Sequence, residues 1–292
     1  MINSFQRQQE ISIIPHELVI VDNNSSDCTE QIVQKFRKNG NVKYCIENKQ
    51  GLSHARNRGI RESRGEVVAF LDDDMVIDEL WLLNLQRCIT ETRADVIGGK
   101  ILLSFDRHPE AWLGSIFRRS LGEVDLGQTR KVICKEDELF GGNISFKKEV
   151  FEKVGYFDCT AGRIGGSLVG GEEIELVRRI LSVKGYIVYD PKIIVHHVIG
   201  DDRLEWSYFR RLAVGTGKTE EFLEPRRNKI YQLLRVFNAT KKLMLATASY
   251  YMQRNSLNSE YERKLLEYTA LRRRGYLIAR CARFINANSE RY

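Results

Sequence analysis

The chain has 292 residues, 42% of them hydrophobic and 29% charged, which excludes a disordered polyelectrolyte and allows one large α/β domain with a C-terminal appendage. The net charge of +7 is unevenly placed: residues 1–202 carry 27 Lys and Arg against 31 Asp and Glu, whereas residues 203–292 carry 19 against 8. The six cysteines, at 28, 45, 88, 134, 159 and 281, form no CxxC pair and no zinc-like spacing and read as reduced cytoplasmic thiols, while the absence of a signal peptide and of an apolar run of about 18 residues argues against a spanning helix.

In chain order, "HELVIVDNNSSDCTEQIVQKF" predicts a strand from Glu17 to Val21, a polar turn, and a helix capped by Ser26 or Asp27 with an apolar repeat at Ile32, Val33 and Phe36. A strand follows at 42–48, then a helix between Gly51 and Gly65, then "EVVAFLDDD" as a buried strand. Residues 78–92 read as a helix and 95–105 as a strand, with an irregular stretch at 106–139 that contains Trp112, Arg118 and Arg119. "FGGNISFKKEVFEKVGYFD" reads as a strand or turn leading into a short helix. A glycine-rich loop at 160–171 opens a helix at Glu172, and "YIVYDPKIIVHHVIG" reads as strand, proline break, strand. From Asp202 onward the sequence is helical and basic, with a break at Pro225. Strands alternating with helices predict an α/β domain over 1–202, with a mostly parallel sheet covered on both faces, and a helical extension over 203–292. In such sheets ligands bind beyond the carboxyl ends of the strands, where Asp22 and Asp72 to Asp74 fall.

Adjacent carboxylates repel one another and are costly to bury unpaired. In an extended segment Asp72 and Asp74 share one side and Asp73 points away, which makes a clamp for a hard cation such as Mg²⁺ or Mn²⁺; the same triplet also suits an acidic turn or a helix cap. Asp22 and the polar turn after it suit a ribose or base edge, or plain turn chemistry. Glu172 and Glu173 sit at a helix mouth, where the dipole favours carboxylates and where an accessible one serves as a general base. Of His196 and His197, strand alternation lets one face a given site; a lone strand histidine is also a common structural element. Residues 229–252 mix apolar and basic side chains at helical spacing, as in a helix lying on an inner-membrane surface or one packed on the catalytic domain. No nucleic-acid module is visible, and acidic strand ends oppose a phosphate-tracking groove, so no nucleic-acid partner is expected.

The succession VDNNSSD, GLSHARNRGI, FLDDD, GGNISFKKEVFEKVGYFD, GGEEIEL and YDPKIIVHH resembles the bacterial family-2 glycosyltransferases of the GT-A fold, across residues 10–210. The resemblance implies an inverting, metal-dependent enzyme that moves a sugar from a nucleotide-diphosphate donor to a hydroxyl of a glycan or lipid-linked acceptor. Polysaccharide or cell-envelope glycan synthesis, in the cytoplasm and peripherally on the inner face of the cytoplasmic membrane, is the implied setting. Asp22 matches the aspartate that holds the base, Asp72 the position near ribose and metal, and Asp74 the ligand of the cation (Mn²⁺ or Mg²⁺) bridging the diphosphate. Glu173 matches the catalytic base, with Glu in place of the family's Asp and hence a longer arm. A Pro-x5-His spacing from Pro191 selects His197 over His196 as metal or phosphate partner. Asn143 matches an acceptor-side position or serves a turn. Arg56 and Asn57 approach the nucleotide or serve the helix, and Arg163 with loop 160–171 forms a lid over the donor. The family's usual first strand, with its Pro-x-Tyr/Phe-Asn motif, has no counterpart before "SFQRQQEISIIPHEL". That departure predicts a start codon assigned too late or a truncated copy, the latter giving the alternative of a catalytically impaired GT-A-fold interaction protein.

Overall fold

The structure is a computed structural model describing residues 1–36, 41–136, 138–160, 162, 165–225 and 228–289. Its elements are α1 (Ile2–Gln6), β1 (Leu18–Asp22), α2 (Thr29–Phe36), β2 (Val42–Ile46), α3 (Leu52–Glu62), β3 (Val67–Leu71), β4 (Met75–Ile77) and α4 (Trp81–Thr92), then β5 (Val96–Phe105), α5 (Ser115–Ser120), β6 (Lys131–Val132), β7 (Asn143–Lys147) and α6 (Glu149–Val154). They are followed by α7 (Glu172–Ser182), β8 (Ile187–Ile199), a 3-10 turn at Asp201–Leu204, α8 (Trp206–Phe222), α9 (Lys229–Gln253) and α10 (Glu260–Ser289). The chain divides into two compact units: residues 1–104, 121–165 and 172–199, and residues 105–120, 166–171 and 200–292.

The first unit is α/β. β1 and β2 pair in parallel, with Asp22 opposite Ile46, and the larger sheet has the order β3-β7-β5-β8-β4 with β6 beside β8. Its pairings β3–β7, β5–β7, β4–β8 and β6–β8 are antiparallel while β1–β2 is parallel, so the strands of this unit are mixed in direction where alternation predicted a mostly parallel sheet. Alternation of strands with helices does not fix direction here, because β4 follows β3 through a tight turn rather than a helical crossover. The hydrophobic centre lies on β5, β7 and β8, through Val96, Ile97, Ile144, Phe146, Ile187 and Val195. Gly99 on β5 is needed there, since a Cβ would lie 2.2 Å from both the Asn143 side chain and the Ile193 carbonyl. The N-terminal residues close the other edge: Gln8 donates to the Asp78 carbonyl at 2.7 Å and accepts from the Leu82 N–H at 2.8 Å, which fixes the entry to α4.

Two local expectations change. β8 runs unbroken through Pro191, because Val188 and Tyr189 pair with β6 and Val195 to His197 pair with β4, which leaves the proline between the two ladders on that side. The aspartate triplet is a turn between β3 and β4, with the Met75 N–H bonded to the Asp72 carbonyl at 3.2 Å, and is not a continuous extended segment.

The second unit is helical. Residues 105–120 and 166–171 precede the C-terminal helices in sequence yet pack with them. The cause of the first is aromatic: Phe117 is fully buried and makes edge contacts with Trp112, Trp206, Phe209, Tyr261 and Tyr268. Loop residue Gly170 is tied to α8 through its N–H and the Thr219 hydroxyl, 3.0 Å apart. α8 and α10 cross backbone to backbone, for a Cβ on Gly217 would lie 1.9 Å from the Arg272 carbonyl and one on Gly275 2.1 Å from the Val214 carbonyl. Near this crossing the buried Glu221 accepts from Arg280 at 2.9 Å and pairs with Arg283 at 3.1 Å.

Gly217→Ala forces these backbones apart and is expected to lower stability by about 1–3 kcal/mol. Urea unfolding followed by helical circular dichroism checks this; an unchanged midpoint would mean that the crossing is not tight.

Candidate active site

The site is built around Arg56. α3 buries Ser53, Arg56, Asn57 and Ile60, a face with i, i+3, i+4, i+7 spacing, and so carries a guanidinium into the interior. Arg56 is 6% exposed. Its Nη1 donates to Glu172 Oε1 at 2.8 Å and lies 3.8 Å from Glu173 Oε2, while Nη2 lies 3.7 Å from Asp72 Oδ1. Phe70 and Phe157 flank the guanidinium, with ring centroids 5.9 and 5.5 Å from its carbon. A side chain at Gly141 is excluded, since a Cβ would come within 2.2 Å of Nη2. One arginine thus gathers a carboxylate at the end of β3 and two at the start of α7.

Those carboxylates differ in character. Glu172 is almost fully buried and ion-paired, whereas the Glu173 side chain keeps 13% exposure. Burial, followed by the negative charge of Glu172, pushes Glu173 up to about 7, against the opposing pull of Arg56. Asp22 goes the other way. Burial alone would raise it, but its Oδ2 accepts from the Tyr44 hydroxyl at 2.6 Å and its Oδ1 from the Ser25 N–H at 2.7 Å, and these bonds hold it below the usual aspartate range. The same bond, together with burial, pushes the Tyr44 hydroxyl up to about 12.

At the end of β8, His197 Nε2 lies 3.1 Å from Asp74 Oδ2, and the ring rests against Gly122. His197 stands opposite Met75 in the ladder; His196, opposite Val76, projects from the other face of the strand. Two cis ligands of an octahedral cation at about 2.1 Å are about 3 Å apart, so the carboxylate–imidazole pair fits two positions of a hard-cation shell. Among the described residues no group of three or more His, Cys, Asp or Glu side chains is gathered to hold a metal, so further donors would have to come from phosphate or water. Asp73 is exposed, while Asp72 turns toward Arg56 and Asp74 toward His197, so the turn gives the two acids different partners where alternation in an extended segment predicted one shared clamp.

Other expected residues have partners within the fold. Asn143 is buried, with its carbonyl accepting from Trp81 Nε1 at 2.9 Å and its amide donating to the Lys100 and Ile193 carbonyls at 3.0 and 2.9 Å. Its carboxamide ties β7 to β5 and β8, so the side chain that the resemblance puts on the acceptor side is engaged within the sheet. Arg56 likewise reaches carboxylates in place of open space, and Asn57 exchanges two hydrogen bonds with the Phe157 backbone. Arg163 lies outside the described residues. Sequence reasoning missed Tyr44 as the partner of Asp22 and Glu172 as the anchor of Arg56. The buried-face spacing of α3 was the available signal for the latter; for Tyr44 the signal was its register beside Ile20, one strand over.

Two outcomes test this electrostatic picture. Between pH 4.5 and about 7 the folded chain keeps a proton on Glu173 that the unfolded chain releases, so this residue's contribution to stability falls as pH rises through that window. Glu173→Gln should flatten the pH dependence of the thermal midpoint there, and an equally steep slope would place the proton elsewhere. Arg56→Met leaves Glu172 buried without its counter-charge and is expected to cost about 3–5 kcal/mol, part of it recovered in Arg56→Met/Glu172→Leu.

Comparison with known proteins gives the family and the fold type. The family model "Glycosyl transferase family 2" matches residues 1–155. "Glucosyl-dolichyl phosphate glucuronosyltransferase" of Haloferax volcanii is 29% identical over 216 residues, covering 70% of this chain and 66% of that protein. "Glycosyltransferase AglE" of the same organism is 28% identical over 187 residues, covering 63% and 56%. The chain therefore spans about two thirds and just over half of these relatives' lengths. Among solved structures, "Crystal structure of GalNAc-T7 with UDP, GalNAc and Mn2+" superposes with a TM-score of 0.53 at 17% identity, over 78% of this chain and 48% of that one. That likeness establishes the GT-A type of α/β fold, a mixed sheet flanked by helices, and the match over more than half of the sequence makes this chain a member of glycosyl transferase family 2.

Proposed function

We propose that the chain transfers a sugar from a nucleoside-diphosphate donor to a hydroxyl of a glycan or lipid-linked acceptor, with inversion at the anomeric carbon. The observation that carries this reading is the grouping of Glu173 and Asp72 on one buried guanidinium, with the Glu173 carboxyl pushed up toward neutrality. A base with that affinity takes a proton at neutral pH without being permanently charged. In the proposed reaction the acceptor oxygen bonds to the anomeric carbon, the bond from that carbon to the diphosphate oxygen breaks, and the hydroxyl proton passes to Glu173. Glu172 and Arg56 position this carboxylate.

On the donor side, Asp22 is ionised and accepts hydrogen bonds only, which suits an N–H edge of a nucleobase. Asp72, half-exposed beside Arg56, is the proposed ribose contact. Asp74 and His197 would hold a divalent cation, which when bound supplies positive charge for the departing diphosphate. The solved neighbour, with UDP and Mn2+, supports the donor class and the cation, and the glucosyl-dolichyl phosphate glucuronosyltransferase of Haloferax volcanii supports a lipid-linked acceptor.

A screen of nucleotide sugars with Mn²⁺ should find a donor whose transfer or slow hydrolysis has a kcat/KM that rises through about pH 7 as Glu173 ionises. Glu173→Gln is expected to lower kcat by on the order of 10²–10⁴, and Asp74→Asn to raise the Mn²⁺ concentration required. Parental rates in both variants, or a product that retains the donor's anomeric configuration, would overturn the assignment.

A further inference from the structure

α9 has a surface that the reaction does not use. Over its 25 residues, Ile230, Leu233, Leu234, Phe237, Met244 and Leu245 are all exposed, Ile230 and Phe237 at 73% and 70%. Their spacing of three, four and seven puts them on one face, and Tyr251 and Met252 extend it by two turns. The opposite face is the one that packs, through the buried Ala239 and through Arg235, which donates to the Tyr276 hydroxyl on α10 at 2.9 Å. An apolar band this long on a water-facing helix is a docking surface by ordinary criteria.

Charge identifies the occupant. The segment from Lys229 to Gln253 contains Lys229, Arg235, Lys241 and Lys242 and no Asp or Glu. Arg235 pairs with Glu224, whereas Lys241 and Lys242 are exposed, Lys241 within the apolar band and Lys242 at its border. A second copy of this chain would bring the same lysines together with no acid on the helix to pair them, since a two-fold contact joins a patch to itself. An anionic bilayer meets both features: acyl chains take the apolar band, and headgroup phosphates take the lysines, whose long stems reach outward. No helix among the described residues is long and apolar enough to cross a membrane, so α9 would lie along the surface.

We propose that α9 is a membrane-surface helix that binds anionic lipid through this face. The proposal rests on α9 alone and stands apart from the donor chemistry.

Co-sedimentation of the full chain with phosphatidylglycerol–phosphatidylcholine vesicles tests it, with pure phosphatidylcholine as the control. Binding to the mixed vesicles should exceed the control on the order of tenfold and weaken with salt. Lys241→Gln/Lys242→Gln and Leu234→Ser/Phe237→Ser should each reduce it on the order of tenfold. All four side chains are exposed, so the helical circular dichroism should be unchanged. No pelleting, equal pelleting with neutral vesicles, or variants that bind like the parent would each overturn the proposal. So would a lipid-free dimer in sedimentation velocity that Leu234→Ser/Phe237→Ser dissolves, because the face would then belong to a second copy.

Discussion

A desolvated guanidinium is the constraint on which the site depends. Arg56 has left water for a compartment walled by Phe70 and Phe157, and a charge in such surroundings persists only where opposite charges compensate it. Glu172 supplies the close contact, and Glu173 and Asp72 the longer ones. These acids come from segments one hundred residues apart, at the end of β3 and the start of α7. Their approach is therefore as much a product of the arginine as of the sheet. Gly141 shows how little room remains, because even a methyl group there would collide with the guanidinium.

Around that centre the fold separates carboxylates by what it lets them touch. Asp22 receives two hydrogen bonds and stays ionised; Glu173 receives burial and a like charge and holds its proton longer. Environments that push two acids apart are how one fold assigns them different work at one pH. In the proposed transfer, the acid that stays charged recognises the donor and the acid near neutrality accepts the proton. Asp74 and His197 form a third setting, a hydrogen-bonded pair whose spacing also suits a shared cation.

Much of this was legible in the sequence. Period-two and period-3.6 patterns placed β1, α2, α3, α4, β5 and α7 within a few residues, and the order of acidic motifs marked the strand ends. What failed did so for tertiary reasons. Strand direction depends on which neighbour a strand meets, which periodicity does not encode, so the mixed sheet was not visible. The Gly-Gly-Asn context of Asn143 suits a turn, yet its carboxamide lies in the sheet in the space left by Gly99, donating to the Ile193 carbonyl. Pro191 marks a break only if its missing N–H were required, and the ladders of β8 on that side do not require it. The stretch 106–139 lacked period because Trp112 and Phe117 are placed by ring contacts with distant helices, an attraction with no local signature.

The crossing of α8 and α10 has a consequence for the basic end of the molecule. Gly217 meets the carbonyl of Arg272 itself, so the rotational phase of α10 is set by backbone atoms rather than by the ion pairs that line it. The arginine run Arg272, Arg273 and Arg274 is thereby presented at a fixed bearing, like type set on a roller. Individual charges along that run can be exchanged without disturbing the crossing, whereas a single added carbon at the glycine would push the helix that carries them all away from α8.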